Sequence, residues 1–84
     1  LRLDPNRIIR AIYLSSKLGF TLSERVKNWI ILNKEILSEV KPNYIVEKLN
    51  KAMVFNKENT LQLIKDLQII NMVPLNYINF KESL

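Results

Sequence analysis

Apolar positions recur at helical spacing along most of the chain, and nowhere do polar and apolar residues alternate for long enough to make a strand. The best-marked stretch runs from Thr21 to Val40. On a wheel of 100° per residue, Leu22, Val26, Trp29, Ile36 and Val40 form a seam. Ile30 and Leu37 flank it on one side and Leu32 on the other, giving an apolar arc about 160° wide. An arc that broad touches two neighbours, which predicts a helix at the centre of a bundle. Thr21 and Glu24 stand at the spacing of a capping box, in which hydroxyl and carboxylate each accept the other residue's amide. Two residues break the pattern. Asn33 falls inside the apolar face, where it is expected to hydrogen-bond the backbone of a neighbouring helix or to fix the helix register, and Ile31 falls opposite, among charges.

The same reading yields helices over 5–18, 22–40, 43–54 and 59–71. Asp4 and Pro5 start the first, with Ile8, Ala11, Ile12, Ser15 and Leu18 inward, and Gly19 supplies the left-handed residue that ends it. Pro42 starts the third, with Ile45, Val46, Leu49, Ala52 and Met53 on one face, and Phe55-Asn56 closes it. Asn56 or Asn59 caps the fourth, whose inner face is Leu63, Ile64, Leu67 and Ile70; Asn71 and Pro74 mark its end. The tail 74–84 carries Tyr77, Ile78 and Phe80, which argue for packing or a fifth helix. Short connections make successive helices antiparallel neighbours. The expected fold is all-α: one domain of four or five short helices, as a bundle or as two stacked hairpins of an α-solenoid.

With 84 residues, a single core can form without covalent staples. Neither Cys nor His is present, so disulfides, the usual zinc sites and Cys- or Ser–His nucleophilic mechanisms are excluded. The carboxylates Asp4, Glu24, Glu35, Glu39, Glu47, Glu58, Asp66 and Glu82 fall at caps or on polar faces, with no pair set to share a proton. No enzyme activity, cofactor, metal or small-molecule substrate is therefore expected. A single Gly rules out a phosphate-cradling glycine loop. No apolar run has the length of a membrane span. Because the chain opens at Leu1 without Met, it reads as a domain or piece of a larger intracellular protein of the cytoplasm, nucleus or mitochondrion.

The formal charge of +5 makes an anionic partner plausible and directs attention to the outer faces. Arg10, Tyr13 and Lys17 form one stripe on the first helix; Tyr44, Lys48, Lys51 and Phe55 form one on the third. Bases alternating with aromatics suit single-stranded RNA, the cations meeting phosphates and the rings meeting bases. A second set, Ile31, Leu61, Ile69 and Met72, falls off the assigned inner faces and would offer apolar surface to a partner protein or an adjoining domain. Pro5, Pro42 and Pro74 recur at the scale of a helical-hairpin repeat. Lys17-Leu18-Gly19 is similar to the turn between paired helices of the pentatricopeptide family, and Asn71-Met72-Val73-Pro74 to its closing turn, with Asn where Gly is usual. That resemblance implies a hairpin solenoid and RNA as ligand. The expected function is a non-catalytic helical protein–protein interaction module, with an RNA-binding helical-repeat segment as the alternative.

Overall fold

In the computed structural model, which describes residues 4–78, all regular structure among those residues is helical. Helix α1 spans Asn6–Leu18, α2 Glu24–Asn33 and α3 Pro42–Asp66, with 3₁₀ turns at Lys34–Glu39, Ile70–Met72 and Leu75–Tyr77. The all-α expectation holds, with three α-helices in place of four or five. The principal extents are 40 × 25 × 18 Å.

The chain is organised by α1 lying against α3. Asp4 starts α1, its carboxylate accepting the Asn6 amide at 2.9 Å, and Gly19 ends it at φ 81°, a conformation that costs other residues about 1–2 kcal/mol. Ile8, Ile9, Ile12, Ser15 and Ser16 are buried, an arc centred on Ile12. Ala11 and Leu18 lie roughly 100–120° from that centre, so they sit at the edge of the face. Ala11 is half-buried and Leu18 exposed.

The expected third and fourth helices are two halves of α3. They meet at Asn56, whose φ of −161° and ψ of 93° are extended. The Asn56 side chain accepts the Asn59 amide at 3.0 Å, so it is the Asn56 alternative that caps the second half. Ile45, Leu49, Ala52 and Met53 are buried before the bend, and Thr60, Leu63 and Ile64 after it. Ile70, expected inside, is 41% exposed, while Ile69 is fully buried. The reason is the way α3 ends. Gln68 adopts φ 60°, its amide donates to the Lys65 carbonyl and that of Ile69 to the Ile64 carbonyl, which is a Schellman motif with Gln in the left-handed position. Reversal at Gln68 folds Ile69 back onto the core.

The largest departure concerns 22–40, expected as one continuous helix at the centre. Its α-helical part stops at Asn33, and the following turn from Lys34 to Glu39 is 3₁₀. Asn33 does not reach a neighbouring helix. Its side-chain amide donates to the Trp29 carbonyl at 2.8 Å, a back-bond to residue i−4 that disturbs a helix. With three residues per turn after the break, Leu37 and Val40 fall on one face and are both buried. Leu32, expected in the arc, is 84% exposed, and Ile30 alone is buried within α2. The cap is also two residues later than expected: Ser23 Oγ, not a Thr21–Glu24 box, accepts the Val26 amide at 3.2 Å. Thus α2 is the least buried helix rather than the central one. Lys27 ties it to α3 through Asp66 at 3.7 Å, and Lys34 reaches the Gln68 carbonyl and side chain at 3.4 and 3.3 Å.

In the tail, Ile78 is buried and Asn50 donates to the Tyr77 carbonyl at 3.2 Å, so the expected packing exists, as a 3₁₀ turn and not a fifth α-helix. Phe80 and Glu82 lie outside the described residues.

One polar cluster interrupts the apolar contact of α1 with α3. Thr60 Oγ1 donates to the Asn56 carbonyl at 2.9 Å, which leaves Ser16 Oγ as donor in its 2.8 Å bond to Thr60 Oγ1. Asn59 Nδ2 gives its two protons to Ser15 and Ser16 at 3.1 and 3.0 Å. Ser15 Oγ donates onward to the Phe20 carbonyl at 2.6 Å. Every proton of the cluster has an acceptor, as burial of Ser15, Ser16 and Thr60 requires.

Two truncations separate this packing from the one the sequence suggests. Ile69→Ala should lower unfolding free energy by about 2–5 kcal/mol, whereas Leu32→Ala should change it by less than about 0.5 kcal/mol, both read by urea denaturation. The opposite order would mean that α2 packs through Leu32 and that α3 ends without the reversal at Gln68.

Candidate interaction surfaces

Helix α1 presents a different surface on each flank of its buried arc. Tyr13 and Lys17 lie on one flank, Arg7 and Ala11 on the other.

The first flank meets the outer stripe of α3. Lys48 extends over the Tyr13 ring, 4.9 Å from its centroid, and lies 5.7 Å from that of Tyr44. Lys17 is 5.7 Å from the Tyr13 centroid and 5.8 Å from that of Phe55. Tyr13 and Phe55 contact edge to face, centroids 6.0 Å apart at 69°. Each such cation–ring contact contributes roughly 0.5–1 kcal/mol at an exposed site, and together they hold two ammonium groups over one aromatic patch. Among the described residues neither Lys17 nor Lys48 forms an ion pair. The fold therefore brings Tyr13, Lys17, Tyr44 and Lys48 together, and Phe55 with them. The other two expected members are engaged with acids: Arg10 pairs with Asp4 at 3.4 Å and Lys51 with Glu47 at 3.3 Å. Tyr13 and Tyr44 are only half-exposed, and the lysines lie against their rings, so little open ring face is left for stacking.

The expected apolar set does not form a surface. Ile69 is 0% exposed and belongs to the core, against which Leu61 and Met72 pack half-buried. The physical reason is the same reversal at Gln68 that turns Ile69 inward. Ile31 is half-buried beside Glu24, Lys27, Asn28 and Asp66, a mostly charged recess away from the others.

Apolar surface is found instead on the second flank of α1. A groove of about 330 Å³ runs between α1 and α2, lined by Arg7, Ala11, Arg25, Val26, Trp29 and Ile30. Its floor is the buried Ile30 with half-buried Ala11; Trp29, also half-buried, and Val26, 40% exposed, form the α2 wall. Arg7 and Arg25 stand at the rim, and among the described residues neither forms an ion pair. The groove exists because α2 makes few close contacts with α1 and the α1 residue facing it is Ala. Sequence reasoning assigned Val26 and Trp29 to a central seam and so missed it. The available signal was Asn33, whose interruption of the apolar arc marks where α2 ceases to pack.

Among the described residues there is no group of Asp or Glu placed to hold a metal ion, and no helix long and apolar enough to cross a membrane. Comparison with family models, with curated proteins and with solved structures finds no match to the chain.

Filling the groove tests its geometry. Ala11→Leu should place a side chain between the helices, shift the emission of Trp29 to the blue, and change stability by no more than about 1.5 kcal/mol. Since Trp29 is the sole tryptophan, its emission reports the groove alone. An unchanged spectrum, or a loss of several kcal/mol from overpacking, would mean that the space is already closed.

Proposed function

We propose that this chain is a non-catalytic helical docking module of a larger intracellular protein, and that it binds a partner protein through the groove between α1 and α2. The observation that carries this reading is Trp29. A large aromatic residue sits half-exposed in the wall of an apolar recess, flanked by arginines that have no acidic partner among the described residues. Trp and Arg are the residues most often found as binding hot spots, where an apolar centre is desolvated inside a polar rim. An aromatic residue needed only for stability would gain by complete burial.

The test uses the full-length protein. Val26→Glu puts a charge into the groove wall at an exposed position, while Lys57→Glu changes charge elsewhere. Proteins that co-purify with the wild type are quantified for both variants. At least one partner should fall about tenfold or more with Val26→Glu, since a carboxylate in an apolar contact costs several kcal/mol, and should persist with Lys57→Glu. Identical partner sets for all three would rule the groove out as the docking site.

A second reading, binding of single-stranded RNA, is supported by one observation: Lys48 lies against both Tyr13 and Tyr44, so the two stripes form one patch whose Lys17 and Lys48 form no ion pair among the described residues. Arg10 and Lys51, each paired with an acid, contribute less. Lys17→Gln with Lys48→Gln should reduce the slope of log affinity against log salt by about 1.4, the value for two phosphates of a single strand. Negligible wild-type affinity for a uridine oligonucleotide at low salt would end this reading.

A further inference from the structure

Resting on the docking reading above, we infer that the groove between α1 and α2 is built for an acidic amphipathic helix, one or two of whose apolar side chains enter beside Trp29 while carboxylates on the flanks pair with Arg7 and Arg25. Three observations lead there. At about 330 Å³ the groove is at the lower end of the range for ligand sites, room for one or two side chains and not for an extended apolar segment. It lies between two helices whose lining residues follow helical spacing, Arg7 and Ala11 on α1, Arg25, Val26 and Trp29 on α2. A third helix packs into such a valley by its own i, i+3 and i+4 ridge. The described residues include no strand whose edge an extended peptide could join.

Charge selects among helices. Arg7 and Arg25 are exposed, and among the described residues neither has an acidic partner. The whole chain carries +5, so a basic helix is repelled at long range and an acidic one is steered inward. A second copy of the chain carries the same +5 and is disfavoured for that reason. RNA would satisfy the arginines but leave the floor of Ile30 and Ala11 against ribose and phosphate, which is a poor match for apolar surface.

The experiment is a selection from a displayed library of tryptophan-free helical peptides of about 18 residues, five turns. Apolar anchors vary at i, i+3, i+4 and i+7, and the flanking positions are drawn from Asp, Glu, Lys, Arg, Ser and Ala. Wild-type domain is the bait and Ala11→Leu the counter-bait. Recovered peptides are then titrated while Trp29 emission is followed. The inference expects recovery on the wild type but not on Ala11→Leu, Asp and Glu enriched at the flanks, and saturable emission shifts. Reversal of the rim, Arg7→Glu with Arg25→Glu, should weaken an acidic peptide at least about tenfold, as expected for two exposed ion pairs. Both positions are exposed, so the reversed variant should fold, which circular dichroism verifies.

Peptides recovered with neutral or basic flanks would overturn the acidic occupant and leave the docking reading standing. No peptide preferring wild type over Ala11→Leu would overturn both. A uridine oligonucleotide that shifts Trp29 emission more strongly than any peptide, or sedimentation showing that the groove is closed by a second copy, would overturn the helix as occupant.

Discussion

Everything in this fold depends on how α1 is held against the bend in α3. Apolar burial presses the two helices together, but Ile, Leu and Met contacts are non-directional and tolerate sliding. The side chains of Ser15, Ser16, Asn56, Asn59 and Thr60 are directional. Asn59 spans two hydroxyls of α1, Ser16 bonds Thr60, and Thr60 returns to the carbonyl at which α3 departs from helical geometry. These groups are satisfied only in one register of the two helices. A shift by one residue would strand several of them, at roughly 1–3 kcal/mol for each buried group left unpaired.

That constraint accounts for the looseness of α2. With α1 and α3 already buried on each other, α2 lies at their edge and gives only Ile30 to the core, between Leu22 before it and the Leu37 and Val40 pair beyond the break. Lys27 and Lys34 fasten it to the end of α3 by exposed or partly exposed contacts that contribute little. The result is a wall of Val26 and Trp29 facing α1 across Ala11, with arginines at the rim. On the other flank of α1 the approach to α3 is close, so lysines and aromatic rings fill the seam. One helix pairing thus produces two surfaces of different chemistry, an open apolar groove and a closed cationic one.

Legibility in the sequence followed the range of the interactions. Asp4, Gly19, Pro42 and Asn56 act on their own turns, and each marks a boundary where local chemistry places one. The apolar spacing of α3 was equally plain, since Ile45, Leu49 and Met53, then Leu63 and Leu67, repeat every four residues. What could not be read lay at two local breaks without the usual marker residue and in partners distant in the chain. The wheel for 22–40 assumed one helical period throughout; within α2 Leu32 stands about 160° from the buried Ile30 and so faces out, and the change to 3₁₀ after Asn33 keeps Leu37 and Val40 inside. Ile69 was misassigned because Gln at a left-handed C-terminal position carries no signal of the kind Gly does at Gly19. Of the candidate surfaces, the Lys–Tyr patch was visible as two stripes whose proximity only the packing of α1 on α3 could supply. The groove went unread because it is made by an absence of packing, at which only Asn33 hinted.

The polar cluster, and not apolar contact alone, fixes α1 on the bent α3. A double-mutant cycle on the two hydroxyls that join the helices tests it most directly, with Ser16→Ala, Thr60→Val and their combination unfolded in urea. Ser16→Ala should cost about 1–3 kcal/mol by taking an acceptor from Asn59, and Thr60→Val a similar amount by leaving the Ser16 hydroxyl proton and the Asn56 carbonyl without their Thr60 partner. The double variant should cost less than the two together, with a coupling of about 0.5 kcal/mol or more. Strict additivity, or singles within about 0.5 kcal/mol of the wild type, would contradict the account and leave the pairing of α1 and α3 to apolar burial.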